Sequence, residues 1–168
     1  MTDVFSKAKR SEMMARIRSR ENSTTEIRFA TLLRTRRITG WRRHKSISIR
    51  PRRLPGPAAS PRRNRDRVRP DFVFAKSKLV VFVDGCFWHS CPWHSTKPKG
   101  NGNFWVAKLT DNRARDRYVT SALRRRGWTV VRIWEHSLSE RFDSGACVQR
   151  VVRHARMSRR SKDLREII

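Results

Sequence analysis

Nine consecutive residues, Cys86 to His94, carry two cysteines, two histidines and three large aromatic rings: Cys86, Phe87, Trp88, His89, Cys91, Trp93 and His94. Cys86, Cys91 and His94 have the spacing C-x₄-C-x₂-H. A tetrahedral structural zinc needs a fourth ligand. His136 is the best candidate if the strand before it lies beside the strand that ends at Val83. His89 is then left over for proton transfer. Without a metal, the same residues read as core thiols and surface histidines, and the sequence leaves both readings open. A second set of donors is acidic. Asp71 lies near the start of one predicted strand, and Val83-Asp84 lie at the end of the next. If the two strands form a hairpin, two carboxylates and a backbone carbonyl make a hard oxygen site suited to Mg²⁺. The alternative is an ordinary Pro-Asp turn and a strand-terminal aspartate.

Placing these groups requires particular elements. Leu79 to Val83 are five apolar residues, too few for a lone helix and suited to a buried strand. Asp84-Gly85 ends the run as a turn. Pro70 sets an extended entry to a strand over Phe72-Val73-Phe74, and Ala75 to Lys78 is a hairpin-length turn. Trp128 to Trp134 predicts a third strand, ending at Glu135-His136. Between them, Asn103 to Arg126 reads as a long helix with Trp105, Leu109, Asn112, Asp116, Val119 and Leu123 on one face. Gly127 closes it. Asp116 is therefore on the inward stripe, where an acid pairs with a cation or a histidine. Residues 23–37 predict another helix, capped by Ser23, Thr24 or Thr25. Its Glu26 shares a face with Phe29, Ala30 and Leu33. Glu26 is either a first-turn acid at the edge of the stripe or a carboxylate aimed at the centre. Residues 40–49 predict a short strand around Trp41 and Ile47 to Ile49. Residues 137–168 predict a helix with Val148, Val151, Val152 and Ala155 inward and Cys147 as a core thiol.

The charge indicates the partner. The 168 residues hold 41 Lys+Arg against 14 Asp+Glu, a net charge of +27. Such an excess repels itself unless a polyanion is present. Nucleic acid fits, because phosphate neutralisation and counterion release drive its binding. Residues 1–22 form a basic arm with a short amphipathic stretch, in which Met13, Met14 and Ile17 share a face; it either packs on the body or touches DNA. Residues 50–69 are dominated by Arg and Pro and read as a loop. No span is long and apolar enough for a membrane, and no signal peptide is evident. An odd count of three cysteines, two of them beside histidines, favours metal binding in a reducing cytoplasm over disulfides.

Arg69-Pro-Asp-Phe-Val, Val81-Phe-Val-Asp-Gly-Cys-Phe-Trp-His, Asn103-Phe-Trp, Arg115-Asp-Arg, and Gly127-Trp followed by Ile133-Trp-Glu resemble the very short patch repair (Vsr) DNA mismatch endonucleases over nearly the whole chain. The resemblance implies an α/β, restriction-endonuclease-like single domain over residues 23–168: a mixed central sheet flanked by helices, with a structural zinc site. It implies a Mg²⁺-dependent, strand-specific nick 5′ to the T of a T·G mismatch left by 5-methylcytosine deamination. A cytosine-5 DNA methyltransferase becomes a functional partner, and the expected protein is a monomer in the cytoplasm of a bacterial-type cell, at the nucleoid. Position by position, Asp71 matches the metal-binding aspartate, and Val83 the residue whose backbone carbonyl helps hold Mg²⁺. His89 matches the histidine that activates water, Asp116 the acid that orients it, and Glu26 an acid near the metals. Cys86, Cys91, His94 and His136 match the zinc ligands. Phe87, Trp88 and Trp105 match aromatics that wedge beside the mismatch, with Met14 entering from the other groove. Asp84 stands where the best-known member has a histidine, so metal ligation and proton handling both remain open for it. A nickase of the same fold with another DNA preference, such as a phage-defence effector, would carry the same residues. A zinc-stabilised DNA-binding protein without catalysis would have been expected to lose Asp71 or His89, and both are present.

Overall fold

The computed structural model describes residues 23–49, 67–96, 101–139 and 144–163. The basic arm with Met14, and most of the Arg/Pro-rich segment, lie outside the described residues. The elements in order are a wide π-type turn at Ser23–Ile27 leading into α1 (Arg28–Thr35), β1 (Arg42–Arg43), β2 (Ile47–Ser48), β3 (Arg67–Val68), β4 (Phe72–Phe74), β5 (Leu79–Asp84), α2 (Gly102–Arg125), β6 (Thr129–Trp134), a 3-10 turn at Glu135–Leu138 and α3 (Ser144–Asp163). Four strands form one mixed sheet in the order β1-β4-β5-β6. β4 and β5 are an antiparallel hairpin, with Phe72 opposite Val81. β5 and β6 run parallel, from Leu79 opposite Thr129 to Asp84 opposite Trp134. A parallel pair needs a crossover, and α2 supplies it.

Alternation along the strands divides the core into two layers. Phe72, Phe74, Leu79, Val81, Val83, Val131 and Ile133 face α1 and α3, where Phe29, Leu33, Val148 and Val151 meet them. Val73, Val80 and Val130 face the other way, against Ala122 and Leu123 of α2 and against Ile47 and Ile49. The expected helical stripe is present: Trp105, Leu109, Asn112, Asp116 and Val119 are half-buried and Leu123 is fully buried, with exposed residues on both sides as far as Tyr118 and with Ala122 buried beside Leu123. Asp116 precedes Leu123 by seven residues, about 10 Å along the axis. Leu123 therefore packs low on the sheet while Asp116 reaches the level of Asp84.

Two elements differ from the sequence reading. The strand expected over 40–49 is split. His44 has a left-handed φ of 52°, which ends β1, and the chain resumes as β2 in a separate two-stranded sheet. The partner of β2 is β3, with Ile47 opposite Val68, so the segment read as loop to residue 69 ends in a short strand. The first helix begins as a wide turn, with no side-chain cap at Ile27. Wide turns of this kind occur often at functional sites, and this one carries Glu26 inward, at 5% exposure.

Phe72 is fully buried, with edge-on contacts to Phe29 at 5.0 Å and Trp41 at 5.4 Å between ring centroids. Phe72→Ala should cost about 3–5 kcal/mol in urea unfolding. A loss no larger than that of a surface substitution would contradict this packing.

Candidate active site and metal centre

Because β5 and β6 end level, Asp84 opposite Trp134, the loop after β5 and the turn after β6 leave the sheet at the same edge. This is the end of a parallel pair at which α/β proteins commonly bind ligands. The loop after β5 is wound tightly: the amides of His89 and Cys91 donate to the carbonyls of Gly85 and Cys86, at 3.1 and 2.9 Å. A methyl group on Gly85 would sit 3.4 Å from the Trp88 ring, at the near limit of ordinary van der Waals contact. Glu135 Oε2 accepts the Cys86 amide at 3.3 Å, joining this loop to the turn after β6.

That winding gathers the four expected soft donors. The ligand atoms of Cys86, Cys91, His94 and His136 lie within 4.8 Å of one another. His136 Nδ1 is 3.2 Å from Cys86 Sγ and 3.5 Å from Cys91 Sγ, and His94 Nδ1 is 3.7 Å from Cys91 Sγ. Bonds of about 2.0–2.3 Å to a tetrahedral ion put neighbouring ligand atoms roughly 3.3–3.8 Å apart, so the cluster can hold a metal. Burial pushes the Cys86 thiol up, and the Cys91 sulfur beside it acts in the same direction. Burial and the neighbouring His94 lower His136, which favours the neutral imidazole that ligates metals.

His89 lies between the two cysteines in sequence but outside the cluster. Its Nδ1 is 2.5 Å from Asp116 Oδ2 and 3.8 Å from Asp84 Oδ1. Burial works against ionisation of Asp116, but the hydrogen bond from His89 and the charge of Arg132 hold its carboxyl below the usual range. Asn112, one turn earlier on α2, donates to the Trp88 carbonyl at 3.1 Å and so fixes the loop to the same helix.

The second acidic group centres on Asp71. Its Oδ2 accepts the Val83 amide at 2.7 Å, so the hairpin contact falls on the N–H of Val83. Asp71, Glu26 and His44 bring ligand atoms within 4.8 Å of one another. Glu26 Oε2 is 2.9 Å from His44 Nε2 and 2.7 Å from Arg43 Nη2. Of the two possibilities left open for Glu26, the structure supports the inward one. Burial, opposed by the Val83 hydrogen bond and aided by the Glu26 and Asp84 charges, pushes Asp71 up to about 7. Asp84 is engaged elsewhere, by a two-pronged ion pair with Arg132 at 2.6 Å for each contact.

Phe87, Trp88 and Trp105 form one aromatic group, with ring centroids 5.1 to 6.0 Å apart. Phe104 extends it at 5.3 Å from Trp105 and is 59% exposed. The sequence reading did not include Phe104, His44, Arg43, Arg132 or Asn112 among the site residues.

Residues 54–95 match the family model described as DNA mismatch endonuclease Vsr. The type II nicking enzyme V.NmeAIP of Neisseria meningitidis serogroup A is 33% identical over 91% of this chain and 96% of its own length. The DNA mismatch endonuclease Vsr of Escherichia coli is 34% identical over 84% of this chain and 78% of its own. This chain belongs to the Vsr family of DNA endonucleases. The match to the type II nicking enzyme V.NaeI of Lentzea aerocolonigenes is 46% identical but spans 52% of each protein, and that to V.NmeDIP spans 56% of the relative. The chain thus aligns with about half the length of these two relatives. The Asp71 strand, most of the loop after β5 and three of the four cluster residues of this Vsr-family chain, Cys86, Cys91 and His94, fall within residues 54–95 of the family match, and His136 lies beyond it.

In the folded chain Asp71 keeps its proton up to about pH 7, against an ordinary value of 3.8. Its contribution to stability is therefore full below the unfolded value and is lost as pH rises through about 7. Measured without divalent cations, Asp71→Asn should gain stability relative to wild type between pH 4 and pH 8. A constant difference would contradict the buried, charge-crowded carboxyl.

Proposed function

We propose that this Vsr-family chain is a DNA endonuclease that nicks one strand 5′ to the T of a T·G mismatch. The arrangement that carries the reading is the His89–Asp116 pair, set near the Asp71 group and directly preceded in the chain by the aromatic residues Phe87 and Trp88. With Nδ1 facing Asp116, His89 keeps Nε2 for the attacking water and takes its proton. Asp116 holds the ring and balances the charge it gains. Asp71, the Val83 carbonyl and Glu26 are the oxygen groups proposed to hold or surround Mg²⁺; the donors are hard and partly charged, as that ion requires. When bound, the ion would stabilise charge on the scissile phosphate and the leaving oxygen. Cys86, Cys91, His94 and His136 are proposed to hold a structural Zn²⁺, which suits two thiolates and two imidazoles. Phe87, Trp88 and Trp105 would stack in place of an opened base pair, offsetting unstacking of a few kcal/mol, and Met14 is proposed to enter from the opposite groove. A T·G pair opens at lower cost than a matched pair, which is one source of selectivity. A cytosine-5 methyltransferase, as the source of such mismatches, is the proposed functional partner. The net +27 supplies background affinity for any duplex.

The relatives named type II nicking enzymes favour a second reading, a nickase of the same architecture with a different DNA preference. Paired duplexes that differ only in T·G versus C·G separate the two at stated salt. A Mg²⁺-dependent nick beside the T, absent from the matched duplex and abolished in Asp71→Ala, is the expected result. Equal nicking of both duplexes would retain the nuclease and remove mismatch recognition.

Metal analysis should find one Zn²⁺ per chain, and its removal by chelation, or Cys91→Ser, should lower the melting temperature. A zinc-free preparation that melts at the same temperature would rule out a structural ion.

A further inference from the structure

Arg132 stands on β6 opposite Phe82, with its guanidinium 5.0 Å from that ring. From there it reaches both acids of the site's upper edge. Its Nε and Nη2 donate to the two oxygens of Asp84, each at 2.6 Å, and Nη2 also lies 3.0 Å from Asp116 Oδ1. Asp116 is thus held on one oxygen by Arg132 and on the other by His89. Burial disfavours the charge, but Asp84 first and Asp116 second hold the guanidinium above its ordinary range.

The arrangement is poorly explained as a stabilising device. A buried ion pair rarely outperforms well-packed apolar groups of the same volume. Nη1 of Arg132 is buried with no hydrogen-bond partner among the described residues, which adds a desolvation cost. Such a cost is commonly retained where charge placement serves a site.

We propose that Arg132 is a positioning residue: it clamps Asp84 to Asp116 across the β6–α2 junction, so that Asp116 keeps the ring of His89 in one orientation with Nε2 outward. On this assignment Asp84 is the counter-ion of the clamp and neither ligates the divalent ion nor carries the proton. The inference rests on the reading of His89 as the group that activates water.

The test uses the full chain at one fixed pH, with ¹⁵N-labelled histidine and with Mn²⁺ as the cation probe. In wild type the His89 Nδ1 proton, assigned by its loss in His89→Gln, should give a slowly exchanging downfield signal. Arg132→Met should remove that signal and slow single-turnover nicking by about ten- to hundredfold, as loss of an orienting partner does, while DNA affinity stays at the wild-type value. Arg132→Lys should restore part of both, and it replaces the Met variant in the same readings if circular dichroism shows that the latter does not fold. Asp84→Asn should bind Mn²⁺ as tightly as wild type, whereas Asp71→Asn should not. Persistence of the His89 signal without the guanidinium, or an unchanged rate, overturns the clamp. Loss of Mn²⁺ affinity in Asp84→Asn equal to that in Asp71→Asn makes Asp84 a ligand and overturns its assignment. If wild type nicks no duplex, the proposed activity falls, while the histidine signal and the Mn²⁺ titration still decide the clamp.

Discussion

Parallel pairing of β5 with β6 is the constraint on which the site depends. Six consecutive pairs, Leu79–Thr129 to Asp84–Trp134, bring two distant strand ends to one edge. His136 could not otherwise meet cysteines 45 and 50 residues earlier, nor Arg132 meet Asp84. A shift of one residue would turn Arg132 and Asp84 to opposite faces. The apolar faces of both strands oppose that shift, because each is packed by a different layer of helices.

The site brings Glu26, Asp71, Asp84 and Asp116 into one region of a chain with a large basic excess. Their distribution is uneven. Asp84 and Asp116 are tied to Arg132, and Glu26 to Arg43 and His44. Asp71 receives a backbone amide and is crowded by the charges of its neighbours. Among the described residues, three of the acids have a cationic side chain in direct contact, whereas the direct contact of Asp71 is the Val83 amide and the charge of Arg132 only offsets part of the crowding. Environment thus separates carboxylates of the same kind into different roles.

Much of this was legible in the sequence where a local pattern encodes position. The three-four spacing of α2 located Asp116, and the hairpin located Asp71 beside Val83. The dense Cys/His segment located the metal-capable cluster, since its ligands are mostly within one loop. Arg132 was not legible: it is one of 41 basic residues, and only the cross-strand register shows that it faces acids. His44 was hidden for a related reason. It closes a two-residue strand in a left-handed conformation, which no alternation of apolar residues predicts. Glu26 was ambiguous because a helix-start acid and an inward acid occupy the same helical position, and the wide first turn decides between them.

His89 sits three residues after one cluster cysteine and two before the other, and the tight turns between them leave no slack. The chain segment is therefore a template of fixed length. Exchange of Trp93, which is 72% exposed, would alter surface chemistry and little in the path of the backbone, whereas Ser90 holds a left-handed φ of 54° and accepts few residues besides glycine, asparagine and aspartate. An insertion or deletion between Cys86 and Cys91 would force a choice: the thiols keep their convergence, or the imidazole keeps its acid. In a diverging lineage the spacing of this loop should be harder to change than most of its letters.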